Sequence, residues 1–223
     1  MSDSMLASTA GKTSAPAQFP RALRWGGLAW IAVWVPVYWH AWGPGNFLHL
    51  CDLAVLLTCV GLWTRNRLLL SSQAVSALIV DLVWTVDAAW TVSVKRSLIG
   101  GTEYLLDAQV AWWIRALSLF HVLLPVLLLW VVWRIGYDRR AWVLQCGIAL
   151  CAFSAARFTN PAMNINYAFR DPFWHRSLGP APVHVILSVI FMAVVVYLPT
   201  HGLLLRFAAH RPGERTGPPS GPA

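Results

Sequence analysis

The sequence predicts an all-α polytopic membrane protein, a six-helix transmembrane bundle with its N- and C-termini cytoplasmic. Three observations predict it. The chain has 223 residues, of which 57% are hydrophobic and only 12% charged, with a mean hydropathy of +0.56. A soluble domain this apolar could not cover its surface with polar groups. Several apolar runs are long enough, at about 1.5 Å per residue, to cross a hydrocarbon core about 30 Å thick. Many of the fourteen Trp residues, among them Trp25, Trp42, Trp63, Trp90, Trp112, Trp113, Trp133 and Trp142, fall near the ends of those runs, where indole rings favour the membrane–water interface.

The helices are expected at 25–42, 47–63, 68–91, 112–134, 141–158 and 182–205. The first ends at GPGN (43–46). The second is the apolar run NFLHLCDLAVLLTCVGLW, closed by TRNR (64–67). A longer connection, 92–111, separates the third from the fourth, GYDRR (136–140) separates the fourth from the fifth, and a long loop, 159–181, precedes the sixth. The Pro and Gly residues in several of these connections mark chain reversals. The helices form one domain over 23–207. It is flanked by a polar segment, 1–22, and a Pro/Gly-rich tail, 208–223. Both flanks are expected to be disordered, and the first shows no signal-peptide pattern.

Orientation follows from the 17 Lys and Arg residues. With the N-terminus inside, eleven fall on the inner side and six on the outer, as the positive-inside rule requires. The net charge of +8 is dispersed through short loops and forms no patch, so nucleic acid is not an expected partner. The four Cys residues all lie in apolar runs and do not read as a secreted disulfide framework. No internal repeat supports an inverted-repeat transporter. The expected location is the inner (plasma) membrane, multi-pass, with membrane lipids as partners.

Polar residues converge on the outer half. His49, Cys51 and Asp52 open the second helix, with Cys51 and Asp52 about 8 Å in. Asp81 and Asp87 lie in the outer half of the third. Arg115 and Ser118 begin the fourth, with His121 about 13 Å deep. The long outer loop adds Asn164, Asn166 and Tyr167. An ionised carboxylate in a membrane helix costs about 2.5 kcal/mol or more, and three of the nine acidic residues fall within spans. A polar cavity among the second, third and fourth helices, lidded by 159–181, is therefore expected. The structural alternative is an Asp81–Arg115 or Asp87–Arg115 pair tying two helices together, with His49 a solvated rim residue and Cys51 simple packing, as Cys59, Cys146 and Cys151 are read to be.

The set has the parts of a thiol nucleophile. A His can take the proton of a Cys, and a carboxylate can orient that His. Cys51, His121 and either Asp52 or Asp81 would fill these catalytic roles. Arg115, Asn164 and Asn166 would bind a phosphate or an oxyanion. Asp87, His49 and Tyr167 complete the binding set. The rival chemistry is a metal held by His49, Cys51, Asp52, Asp81 and His121. No ligand spacing such as CxxC, HExxH or HxxxH appears, so neither metal nor cofactor is expected.

Four segments carry a family resemblance: HLCD (49–52), TRNRLLL (64–70), LFHVLLPVLLLW (119–130) and NINYAF (164–169). With them the chain resembles the YwaF-like integral membrane proteins, a bacterial six-span family. A related eukaryotic family, the transmembrane phospholipid acyltransferases, uses a Cys in helix 2 and a His in a later helix. By that resemblance Cys51 matches the nucleophile and His121 the His. The six-span androgen-induced lipid hydrolases use Thr and His instead. The GPGNF and GYDRRAW segments and the acidic pair of the third helix depart from the YwaF-like pattern.

Two functions are carried forward. One is thiol-dependent acyl transfer or ester hydrolysis on a lipid. The other is non-enzymatic binding or transport of a small polar or lipidic ligand, in which Asp81, Asp87 and Arg115 matter and Cys51 is replaceable. A third, a subunit of a larger membrane complex, would make the site incidental.

Overall fold

A computed structural model describes residues 19–210. Most of the segments expected to be disordered, 1–22 and 208–223, lie outside the described residues. Where they overlap, the chain is helical: Arg21 opens the first helix and Ala209 closes the last. Pro20 caps the first helix, its fixed φ suiting it to a helix start. Among the described residues the structure is all-α, with no strand.

The helices are α1 (Arg21–Trp42), α2 (Leu50–Thr64), α3 (Arg67–Val94), α4 (Trp112–Leu117), α5 (Phe120–Ile135), α6 (Ala141–Ala156), α7 (Ala181–Phe191) and α8 (Leu198–Ala209). Three stretches are long and apolar enough to cross a membrane: Arg67–Val94, Trp112–Ile135 and Ala181–Ala209. They are compatible with a membrane protein. Two further apolar helices, Leu50–Thr64 and Ala141–Ala156, have only 15 and 16 residues, about 22–24 Å at helical rise. That is short of the core thickness of about 30 Å.

Two of the expected single helices are interrupted, each upstream of a proline. Pro125 has no N–H for the carbonyl of His121 and its ring crowds it. The turn before it tightens: Ser118 N–H bonds the Arg115 carbonyl at 3.1 Å, and His121 N–H bonds the Ser118 carbonyl at 3.1 Å. α4 and α5 therefore meet at a break that carries His121. Pro199 does the same to Val195, and residues 192–197 between α7 and α8 widen into a π-helix.

α3 is the central helix and packs against α2, α5, α6 and α8. Its buried face is polar: Ser71, Ser72, Gln73, Ser76, Asp81, Asp87 and Thr91 are all buried, while Leu82, Val83, Val86 and Trp90 point outward. Exposed apolar residues also cover α5 and α7 (Leu123, Val126, Ile186, Ile190), the surface a lipid solvent favours. The helices are tied internally by polar contacts. Gln145 Nε2 donates to Ser76 Oγ at 2.9 Å, and Asp138 N–H donates to Ser71 Oγ at 3.0 Å.

The α2–α3 turn sets the depth of the site. Arg65 takes a left-handed conformation (φ 54°) and Asn66 caps α3 by accepting the Leu69 N–H at 3.0 Å. Gly61 lets the two helices close, since a Cβ there would lie 2.8 Å from Leu70 Cγ. Counted from this turn, Asp52 stands twelve residues before Thr64 and Asp81 fourteen after Arg67. Those separations are about 18 and 21 Å, so the two carboxylates reach similar height. Because α2 is short, its start is recessed, and a 3₁₀ turn over Pro44–Leu48 descends to meet it. The site lies deeper than the second helix alone predicts.

Candidate functional site

The site gathers where the first turn of α2, the middle of α3, the α4–α5 break and α1 face one another. Asp52 is buried, and its Oδ2 accepts from Asn46 Nδ2 at 2.5 Å. Asp81, on α3, is fully buried, and neither of its carboxylate oxygens has a hydrogen-bond partner. Asp52 and Asp81 are within electrostatic reach of each other, and both are within reach of Cys51.

His121 is 6% exposed and clamped between two rings. Its centroid is 4.1 Å from that of Trp84 at 12°, and 4.0 Å from that of Phe120 at 24°. Its Nδ1 lies 2.8 Å from the Ser118 carbonyl. A carbonyl only accepts, so Nδ1 carries the proton and the neutral ring presents Nε2 as its lone-pair nitrogen. Tyr38 of α1 meets Ser118 of the break, hydroxyl to hydroxyl, at 2.9 Å. Tyr104, from the 103–105 turn, reaches the same group beside Tyr38, Cys51 and Asp52. Burial pushes the Tyr104 phenol up, so it remains a neutral donor. His49, at the N-cap of α2, lies within electrostatic reach of His121.

Cys51, Asp52 and Asp81 are thus neighbours of one another, and His49 of His121, with Tyr38 and Ser118 between the two sets. The catalytic dyad is not assembled as a hydrogen-bonded pair: among the described residues no hydrogen bond joins Cys51 to His121. The neighbours that act on the Cys51 thiol are the two carboxylates.

The remaining expected binders are committed to the loops. Asp87 is buried and accepts from Leu98 N–H at 2.8 Å, Ile99 N–H at 2.7 Å and the Thr102 hydroxyl. It holds the 95–102 loop. Arg115 donates from Nη1 to the Leu105 carbonyl at 2.7 Å, so the expected tie to Asp81 or Asp87 is not made. Ion pairs join Asp138 to Arg67 and Arg140, at the far end of the bundle.

The 159–180 segment does cover the site, and Asn166 fastens it. Asn166 Nδ2 donates to the Leu48 carbonyl at 2.7 Å, and its Oδ1 accepts the Leu50 N–H at 3.0 Å. One amide thus bridges the lid to the start of α2. Asn164 Oδ1 accepts from Phe169 and Arg170 N–H, both at 3.0 Å, and shapes the lid internally. Asn164, Asn166 and Tyr167 all have positive φ (44°, 53° and 56°). Three such residues in four positions are costly, and the bridges hold them there. Tyr167 is exposed, but its carbonyl accepts from His184 Nε2 at 2.9 Å, while His184 Nδ1 accepts the Leu178 N–H at 3.0 Å.

His184, Tyr38 and Tyr104 are site or lid residues that sequence reasoning missed. His184 sits in the first turn of α7 and gives no spacing signal. Tyr38 and Tyr104 belong to no motif in the sequence that would mark them. Among the described residues, no group of three or more His, Cys, Asp or Glu side chains converges with metal-holding geometry. No protein-family model matches the chain, and no curated protein or solved structure matches it.

Proposed function

We propose that this chain is a multi-pass protein of the inner (plasma) membrane, crossing it six times with both termini in the cytoplasm, and that it binds or transports a small polar or lipidic ligand at the polar group around Asp81. The alternation of the six helical segments and the Lys/Arg distribution support the topology, as does the resemblance of 49–52, 64–70, 119–130 and 164–169 to YwaF-like proteins. The short α2 and α6 cross by sitting inside the bundle, where neighbouring helices and loops make up their length.

One observation carries the ligand reading. Asp81 is fully buried, and neither of its carboxylate oxygens has a hydrogen-bond partner. An intramembrane ionisable group without a structural partner marks a ligand or ion pathway. Thiol-dependent acyl transfer to a lipid remains the second reading, favoured by His121 Nε2, which the Nδ1–Ser118 contact leaves available as a base. It requires that base within hydrogen-bond reach of the Cys51 thiol, directly or through one water.

Labelling in native membranes with a lipid-like thiol electrophile separates the two. Cys51→Ala, Cys59→Ala and His121→Ala are compared with wild type. The ligand-binding reading expects weak labelling that is indifferent to His121→Ala. Strong labelling lost in both Cys51→Ala and His121→Ala, but kept in Cys59→Ala, would establish an activated nucleophile and replace it with the acyl-transfer reading.

A further inference from the structure

Among the described residues, Asp81 is the one acidic side chain to which the fold gives no hydrogen-bond donor. Asp52 has Asn46, Asp87 has two backbone N–H groups and a hydroxyl, Asp138 has Arg140, and Asp171 has three N–H groups of its own loop. Asp81 Oδ1 and Oδ2 are both buried and both without a donor. A bare carboxylate so placed is untenable, because burying an unpaired charge costs several kcal/mol or more.

None of the groups around it donates to it. From α2 come Asp52 and Cys51, neither a cation. Tyr38 of α1 is spent on Ser118. From α5 comes His121, whose proton-bearing Nδ1 points to the Ser118 carbonyl and whose ring lies on Trp84, one turn along from Asp81. Arg115 of α4 gives Nη1 to the Leu105 carbonyl and keeps a buried, unpartnered Nε, but it makes no ion pair with Asp81, whose charged neighbour is Asp52. His49 lies beside His121 rather than Asp81. α6 presents Gln145, which donates to Ser76 and not to Asp81. An alkali or alkaline-earth cation would ask for about six oxygen ligands. The oxygens at hand are the two of Asp81 and those of Asp52, one of which Asn46 already occupies.

We propose that Asp81 is a proton-binding site within the proposed ligand site: its carboxylate takes a proton from hydronium, giving a carboxylic acid and water, and returns it in the reverse step. The neutral acid removes the buried charge and gains a donor that can point at Asp52. Ligand exchange at that site is thereby coupled to proton uptake, since a bound cationic or donor group and the proton compete for the same two oxygens. The proposal rests on the ligand-binding reading for that coupling. The proton site itself stands on Asp81 alone, and the thiol-labelling comparison does not bear on it.

The test is pH-difference infrared spectroscopy on the full chain in proteoliposomes, scanned from mildly alkaline to mildly acidic pH, on wild type, Asp81→Asn and Asp52→Asn. Wild type is expected to show the carbonyl stretch of a buried carboxylic acid rising as pH falls. That band is expected to be lost in Asp81→Asn and kept, with its midpoint displaced, in Asp52→Asn. Each variant is matched to wild type by its helical circular dichroism, and retention of the band in folded Asp52→Asn guards against a trivial loss through misfolding. A band that survives in Asp81→Asn, a wild type without any such band, or a band that added NaCl suppresses at constant pH would overturn the proposal. The last outcome would identify a sodium site.

Discussion

His121 lies flat against Trp84, with ring centroids 4.1 Å apart and planes 12° from parallel. The contact joins the α4–α5 break to the middle of α3, one turn beyond Asp81. It fixes the direction of the imidazole more firmly than the single Nδ1–Ser118 bond could, because rotation about χ2 is blocked on both faces.

Replacing Trp84 by Leu removes that stack while keeping an apolar side chain. Stacked aromatic pairs contribute about 0.5–1.5 kcal/mol beyond their area. Trp84→Leu is expected to lower thermal stability in detergent by about 1 kcal/mol and to move the His121 ring-proton resonances downfield. Unchanged resonances would mean the stack does not persist in solution.

Asn166 holds the lid with both ends of its amide. Asn166→Ala takes the acceptor from Leu50 N–H and the donor from the Leu48 carbonyl, and leaves Ala at φ 53°. The expected cost is about 1–3 kcal/mol, concentrated locally. Hydrogen exchange followed by mass spectrometry is expected to speed up in 44–50 and 164–170 together, with little change in α6. Acceleration in one segment alone would contradict the bridge.

Gly61 and Gly147 make a matched pair. A Cβ at Gly61 would meet Leu70 Cγ at 2.8 Å, whereas one at Gly147 would meet nothing within 4 Å. Gly61→Ala is expected to destabilise by about 1–3 kcal/mol through overpacking, and Gly147→Ala to be neutral or slightly stabilising through helix propensity. A Leu70→Ala change in the Gly61→Ala background is expected to relieve part of the clash, read as non-additive shifts in Tm.

Asp138 supplies a pH dependence outside the spanning helices. The hydrogen bond from Arg140, with its charge and that of Arg67, holds the Asp138 carboxyl below its ordinary value. A carboxylate depressed in the folded state contributes stability that is present above the unfolded value of about 3.9 and is lost as pH falls through the folded value. The Arg140 side chain is 76% exposed, so the ion pair is worth at most about 1 kcal/mol. Asp138→Asn is expected to lower Tm slightly near neutral pH and to flatten its decline below about pH 4. A variant that declines as steeply as wild type would place the acid sensitivity elsewhere, with Asp171 next to examine. There burial opposes the shift, but the N–H groups of Trp174, Arg176 and Phe173 outweigh it and hold the carboxyl low.

The sequence by itself determined where the helices run and which polar residues go below the surface. Apolar runs bounded by GPGN, TRNR and GYDRR leave little choice of register along the membrane normal, so Cys51, Asp52, Asp81 and His121 could be placed at shared depth by counting residues. The breaks at Ser118 and at 192–197 stand upstream of Pro125 and Pro199, but Pro36 lies inside an unbroken α1, so proline position alone does not place them. What the tertiary structure decided was partnership. α3 is apolar on its outer face and lined with small polar residues on its inner one, and α2, α5 and α6 are apolar all round, so no periodicity in those helices says how each is rotated or which neighbour it meets. That rotation sends Asp87 to the 95–102 loop and Arg115 to the Leu105 carbonyl. It lays His121 between Trp84 and Phe120. Among the described residues it leaves Asp81 alone of the buried acids without a hydrogen bond, because a carboxylate in the middle of a helix, far from any loop, finds a donor only through the packing of its neighbours.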